Sequence, residues 1–433
     1  MKIKKITAIL TAAALGTALA ACSNSTDGGE NTDGGNNSAE VMETSNVEGT
    51  VQTEAAPEKE YSEMVQRSFV SLGNTYRLEN KLSKAKQGEK ITVAYLGGSI
   101  TEGIGGTPDT CYAKLSYNYI AENYGKGDNV EYVNAGVSGT PSILGNLRVK
   151  KDVLDKNADI VFVEFAVNDG MDQLHKESYE SLVRTILQQE NEPAVILLFT
   201  VTKTGHTCQE HMSQIGEHYG LPMISVPDAI QPEIEAGNMT WADYSGDEAH
   251  PNAEGHKLVA EFIEYYFETL KVRNAVDKPM DMPVLPKFGN PYENAFLAEA
   301  DYDNSNPDLQ IGETGSFSAE ARRIADFTKG AWVYSGEGTD PMKLTVKGNS
   351  FFFICKRNNS DTMGKFEVYI DGTKAATIDT NQKDGWGDPY AFQVIKRSGV
   401  HEMNVEIVPT EDSAGKIIEI FGIAYSANED ITF

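Results

Sequence analysis

Four short segments of this 433-residue chain carry residue types that acyl transfer requires. Leu96-Gly97-Gly98-Ser99-Ile100-Thr101-Glu102-Gly103 presents a serine behind two glycines, and Asp247-Glu248-Ala249-His250-Pro251-Asn252 an aspartate three residues before a histidine. Between them, Asn134-Ala135-Gly136-Val137-Ser138-Gly139 and Val163-Glu164-Phe165-Ala166-Val167-Asn168-Asp169-Gly170 contribute a glycine and an asparagine. A serine hydroxyl is a poor nucleophile near neutral pH, so a base must take its proton as it attacks an ester carbonyl. Histidine can do so and later return the proton to the leaving alcohol. Ser99 is thus the candidate nucleophile, His250 its base, and Asp247 the carboxylate that orients and charge-stabilises the imidazole. Taken alone, Gly-Gly-Ser after a strand also fits a phosphate-cradling turn or simple punctuation; the four segments carry weight together.

Those segments need a scaffold, and the hydrophobic pattern supplies one. Between about 65 and 273, short apolar runs alternate with longer amphipathic ones, the signature of parallel strands joined by crossover helices. Strands are expected at 91–96, 130–134, 159–165, 194–201 and 223–226, and helices at 114–124, 146–155, 176–189, 208–218 and 253–271. Several of the strands are apolar on consecutive positions, as strands covered on both faces must be. A three-layer α/β/α domain with a parallel sheet follows. Ser99, Gly136 and Asn168 then fall at strand carboxyl ends, where open α/β sheets place their sites, and His250 precedes the last long helix.

Serine, glycine, asparagine and Asp-x-x-His-Pro in this order resemble the four sequence blocks of the SGNH/GDSL hydrolase family, over about 91–270. The family's first block often reads Gly-Asp-Ser; Gly98 stands in place of the aspartate, as in many members. The resemblance implies a flavodoxin-like hydrolase domain, an acyl-serine mechanism without cofactor or metal, and an oxyanion hole formed by the N–H groups of Ser99 and Gly136 and the amide of Asn168. It further implies that Asp169 supports its loop. Arg148 resembles a basic position common among Gly-Gly-Ser members, and a solvated helix residue is the competing reading. Exported multidomain members with an added β-domain look like carbohydrate esterases that remove acetyl groups. The expected partner is therefore an acetylated carbohydrate or other small ester. The alternatives are a broader lipase or thioesterase, and a non-catalytic glycan- or solute-binding lipoprotein.

The amino terminus reads as an export signal: Lys2, Lys4 and Lys5 precede an apolar stretch, 6–20, too short to span a bilayer comfortably. Leu19-Ala20-Ala21-Cys22 resembles a lipobox, which makes Cys22 the expected lipidation site, 1–22 a lipoprotein signal and the protein extracytoplasmic, held at the bacterial membrane by lipid alone. Residues 23–62 are too polar to bury a core and read as an acidic tether. The net charge of −27 disfavours nucleic acid and anionic membrane surfaces as partners. Cys111, Cys208 and Cys355 lack zinc-site spacing and read as free thiols, with a Cys111–Cys208 bridge the alternative, and His175, His206, His211, His218 and His256 as surface or packing residues.

Beyond the hydrolase domain, assigned to 63–275, prolines crowd a connector at 276–300, and 301–433 carries β-like runs at 343–346, 350–356, 365–370, 374–379, 391–396, 401–407 and 417–425. Seven short strands at this spacing predict a β-sandwich, jelly-roll-like. In it Trp332, Tyr334, Trp386 and Tyr390 are candidates for stacking on sugar rings, with core packing the ordinary alternative for aromatics in a sandwich.

Overall fold

The computed structural model describes residues 59–273, 278–325 and 327–431. The signal peptide, Cys22 and most of the expected tether lie outside these residues. At the tether's end Tyr61 is already core: it is buried against the last helix, with its hydroxyl on Glu264 at 2.8 Å.

The first part of the chain runs α1 (Glu63–Arg67), β1 (Phe69–Ser71), α2 (Tyr76–Gln87), β2 (Ile91–Gly97), α3 (Ser99–Glu102), α4 (Tyr112–Tyr124), β3 (Val130–Gly136), α5 (Ser142–Asp152), β4 (Ile160–Glu164), α6 (Gln173–Leu187), β5 (Ala194–Phe199), α7 (Gln209–His218), β6 (Met223–Ser225), α8 (Val226–Glu235), α9 (Trp241–Tyr244) and α10 (Ala253–Val272). The sheet order is β1-β6-β5-β4-β2-β3, parallel except for β1, which pairs antiparallel with β6. All five expected strands form, and the edge strand β1 is an addition. Alternation explains the consecutive apolar runs. Val93, Tyr95, Phe162, Ile196 and Leu198 face α2, α4 and α10, whereas Ala94, Leu96, Val161, Val163 and Leu197 face α5, α6 and α7. In this order β2 and β4 are neighbours whose connections leave in opposite directions, so a crevice opens beyond their carboxyl ends.

The second part comprises β7 (Ala295–Ala298), β8 (Leu309–Ile311), β9 (Ser318–Ile324), β10 (Thr328–Tyr334), β11 (Met342–Asn358), β12 (Lys365–Ile370), β13 (Thr373–Asp379), β14 (Trp386–Pro409) and β15 (Ile418–Ser426). Every pairing among them is antiparallel. The runs read as four separate strands are two long ones, β11 and β14, which pair along their length and slip register between Gly348 and Ser350. Such a slip bends a strand. Here it lets the first half of β11 join β8 and the second half join β15, so each long strand serves both layers of the sandwich. One core fills the space between the layers, with Phe351, Phe353, Phe366, Trp332 and Tyr334 among its members.

The outer face of the β15 side carries Ala331, Val333, Phe352, Ile354 and Phe421, and these pack on Ile143, Leu144 and Leu147 of α5. Helix α5 is therefore buried from Ser142 to Val149, between its own sheet and the sandwich. The proline-rich connector is pinned as well. The Glu180 carboxylate accepts the backbone N–H groups of Lys287, Phe288 and Gly289, and Arg184 pairs with Glu293. Within the span assigned to the connector, β7 already pairs with β15.

Candidate active site

Ser99 is the first residue of α3, set directly beyond β2 by Gly97 and Gly98. Its N–H is one of the donors a helix start leaves without an intrahelical acceptor. The close approach of Asn168 explains why glycine stands at 98, since a Cβ there would lie 2.2 Å from Asn168 Oδ1.

His250 Nε2 lies 2.9 Å from Ser99 Oγ, and His250 Nδ1 lies 2.7 Å from Asp247 Oδ2. The other aspartate oxygen accepts the N–H groups of Ala249 and His250, at 2.8 and 2.7 Å. Partial burial alone would raise the Asp247 pKa, but those two N–H groups and the imidazole outweigh it and hold the carboxyl at about 2. The loop is braced from outside: Trp241 Nε1 donates to Asp247 O at 2.6 Å, Ser245 Oγ to His250 O at 2.6 Å, and Asn252 caps α10 through Glu254 N and Gly255 N. A three-residue spacing thus works because the Asp-x-x-His turn folds its carboxylate back onto its own amides before presenting it to the ring.

Asn168 follows β4, and its side-chain oxygen is buried with no partner among the described residues, an unspent polar group of the kind that invites a functional explanation. Gly136 does not take the place expected of it. Its N–H is already spent on Asn134 Oδ1 at 2.9 Å, and its lack of a side chain serves packing, because a Cβ would lie 2.1 Å from the Glu102 backbone nitrogen. Three residues on, Gly139 has φ +72° and an N–H without an acceptor among the described residues, and it is the better candidate on this loop. The sequence shows both glycines; only the strand's hydrogen-bond direction separates them.

Behind the nucleophile sits a residue that motif reading passed over. Glu164 ends β4 fully buried and accepts from Thr101 Oγ1 at 3.0 Å and Thr200 Oγ1 at 2.5 Å. Burial raises its pKa against the pull of those hydroxyls. A lone glutamate closing an apolar strand was the available signal. Asp169 accepts from Ser142 N at 2.7 Å at the start of α5, and burial pushes its carboxyl up to about 7. Arg148 is fully buried, not solvated. Among the described residues no three His, Cys, Asp or Glu side chains converge as a metal site would require, and the three cysteines are separate buried thiols.

Three exposed apolar side chains stand on the loops around this constellation. Ile104 directly follows the α3 turn, its N–H on Ser99 O; Met171 lies three residues beyond Asn168; and Trp386 of the sandwich rests its ring against Gly139. Trp386 is 63% exposed. Tyr390 is half-buried under Arg357, whose guanidinium sits 4.3 Å from the ring centre and also pairs with Asp384 and Asp388. Trp332 and Tyr334 are core, so of the four aromatic candidates Trp386 alone presents its face to solvent.

A serine, an imidazole and a carboxylate in one hydrogen-bonded line, at the crevice of a doubly wound sheet, is the layout of a serine hydrolase. Residues 95–258 match the model of the GDSL-like Lipase/Acylhydrolase family, which covers the α/β domain from β2 into α10. The solved structures include a two-domain esterase (CEX) active on acetylated mannans, co-crystallised with mannopentaose. It is similar at 27% identity and a TM-score of 0.73, over 85% of this chain and 99% of that one. A second structure of such an esterase gives 28% identity and 0.73, over 84% and 98%. A comparison with curated protein sequences gives no match. The protein is a serine-type carboxylic ester hydrolase, with an α/β domain that matches the GDSL-like family model over residues 95–258 and an all-antiparallel β-domain.

Proposed function

We propose that the protein removes O-acetyl groups from a polysaccharide through an acetyl-serine intermediate. The observation that carries this reading is the hydrogen-bonded line from Ser99 through His250 to Asp247. His250 Nε2 takes the Ser99 proton as Oγ attacks the acetyl carbonyl, while Asp247, ionised far below neutral pH, steadies the imidazolium. The developing oxyanion is met by the free N–H groups of Ser99 and Gly139 and the amide of Asn168. Such a donor is worth on the order of 3 kcal/mol. His250 then gives the proton to the departing sugar oxygen, and water, activated by the same base, releases acetate and restores Ser99.

The carbohydrate part of the reading draws on Trp386, whose exposed ring beside Gly139 offers a stacking face for a sugar next to the acyl site. It draws also on the likeness to the acetylmannan esterase over both domains. The amino-terminal sequence supports export and lipid attachment at Cys22, which would hold the enzyme outside the membrane among extracellular glycans.

Acetate release from acetylated mannan, acetylated xylan and p-nitrophenyl acetate, with Ser99→Ala as control, tests the proposal. Activity on a glycan that disappears in Ser99→Ala is the expected result. Hydrolysis of p-nitrophenyl acetate without release from any glycan would overturn the substrate, and undiminished activity of Ser99→Ala would overturn the mechanism. Trp386→Ala should raise KM on the glycan while leaving p-nitrophenyl acetate hydrolysis within about twofold, because only the glycan reaches that ring.

A further inference from the structure

The Arg148 guanidinium lies behind the site, fully buried on α5. Nη2 donates to Gly97 O at 2.9 Å, and Nη1 donates to Ala135 O at 2.7 Å and to Asp152 Oδ2 at 2.9 Å. Gly97 and Ala135 stand at the ends of neighbouring parallel strands, where Leu96 pairs with Ala135 and Gly97 with Gly136. There the regular ladder stops. One further backbone bond, from Val137 N–H to Gly97 O at 3.1 Å, joins the two segments; beyond it one chain turns into Ser99 and α3, and the other runs on through Ser138 to Gly139 without strand pairing.

A second charged residue ties the loops further along. Glu102, the last residue of α3, accepts the Ser138 N–H at 2.7 Å and also the Ser138 hydroxyl. Asn134 adds a bond from its amide to Thr101 O at 2.8 Å. The two charges also act on each other: burial lowers the Arg148 pKa, and Asp152 and Glu102 oppose that shift. Desolvating a guanidinium is costly, and an aliphatic residue would fill the same volume without that penalty. What an arginine adds is a planar fork able to hold two carbonyls and a carboxylate at fixed spacing.

We propose that Arg148 and Glu102 are positioning residues for acyl transfer, together setting the distance between Ser99 and the Gly139 N–H, Arg148 by holding the two strand ends and Glu102 by holding the loop at Ser138. Neither touches substrate; each acts through the backbone it holds. The inference rests on Ser99 being the nucleophile, and it goes beyond that assignment by saying what fixes the oxyanion site around it.

The test is steady-state hydrolysis of p-nitrophenyl acetate by Arg148→Lys, Glu102→Ala, Glu102→Gln and the Arg148→Lys/Glu102→Ala double variant, each checked for native melting, with Ser99→Ala alongside. Arg148→Lys and Glu102→Ala should each lower kcat about 10- to 100-fold with KM within about threefold, because a displaced donor weakens the transition state and not substrate binding. Glu102→Gln, whose amide oxygen still accepts the Ser138 N–H, should recover to within about threefold of the parent. The double variant should lose less than the product of the single losses, since both act on one spacing. Folded Arg148→Lys and Glu102→Ala with kcat within about twofold of the parent, or a loss confined to KM, would overturn the proposal. If Arg148→Lys does not fold, the contrast between Glu102→Ala and Glu102→Gln decides alone. Ser99→Ala inactive beside fully active Glu102→Ala would sink this inference only, whereas an active Ser99→Ala would sink the assignment of the site.

Discussion

Gly98 shows how little room the site leaves. A Cβ at 98 would lie 2.2 Å from the Asn168 side-chain oxygen, so in this chain the asparagine sits where it does because 98 is glycine. Gly98→Ala should cost at least about 100-fold in kcat while the protein still folds, because the clash displaces a donor and leaves the core intact. A folded Gly98→Ala enzyme of normal kcat, measured with p-nitrophenyl acetate, would contradict that geometry. Asp169 bears on stability. Its folded pKa of about 7 lies above the ordinary carboxyl value near 3.8, so between those values the native state holds a proton that the unfolded chain has lost. Stability should therefore fall as pH rises from about 4 to about 7, with a slope approaching 1.4 kcal/mol per pH unit from this group. Urea unfolding at several pH values should show that slope flattened in Asp169→Asn; an unchanged slope would assign it to other groups.

Elements were legible where the hydrophobic pattern was strong. All five parallel strands, the four crossover helices between them and the long helix that follows announce themselves by period and length, and the order of the blocks along them points to Ser99, Asn168 and His250. Helix α2 was missed because its apolar residues Leu78, Leu82 and Ala85 are sparse among lysines. Strands β7 to β10 were missed because they are short or alternate weakly. Reading β11 and β14 as two strands each follows from Gly348 and its neighbours, which look like turn residues and are in fact a bend inside a continuous ladder. The motif points to Gly136, whereas the N–H without an acceptor among the described residues belongs to Gly139, because a motif gives spacing and no N–H direction. The connector was read as a spacer from its prolines, yet Glu180 holds it through three amides. Glu180→Ala leaves those N–H groups, the Gly289 one fully buried, without their acceptor and should lower stability by about 2–4 kcal/mol. Denaturant titration checks this, and a loss below about 0.5 kcal/mol would mean the connector is held by packing alone.

At the scale of the molecule, the β-domain takes part in the α/β domain's own folding and site. Its outer face buries α5, the helix that carries Arg148, and Trp386 covers Gly139. The consecutive aromatics Phe351, Phe352 and Phe353 make sense only in a strand covered on both faces: Phe351 and Phe353 fill the sandwich, while Phe352 faces α5. Phe352→Ala should destabilise by about 3–5 kcal/mol and lower the melting of both domains together. Two separate transitions, with the hydrolase transition unmoved, would show the domains to be energetically independent.

The most direct measurement of the central claim is rapid-quench peptide mass spectrometry of the enzyme turning over an acetylated mannan oligosaccharide. The account predicts an acetyl group on the peptide containing Ser99, which builds up when water attack is slowed and is absent in Ser99→Ala. Turnover with no acetylated Ser99 peptide, together with acetate release persisting in Ser99→Ala, would contradict it.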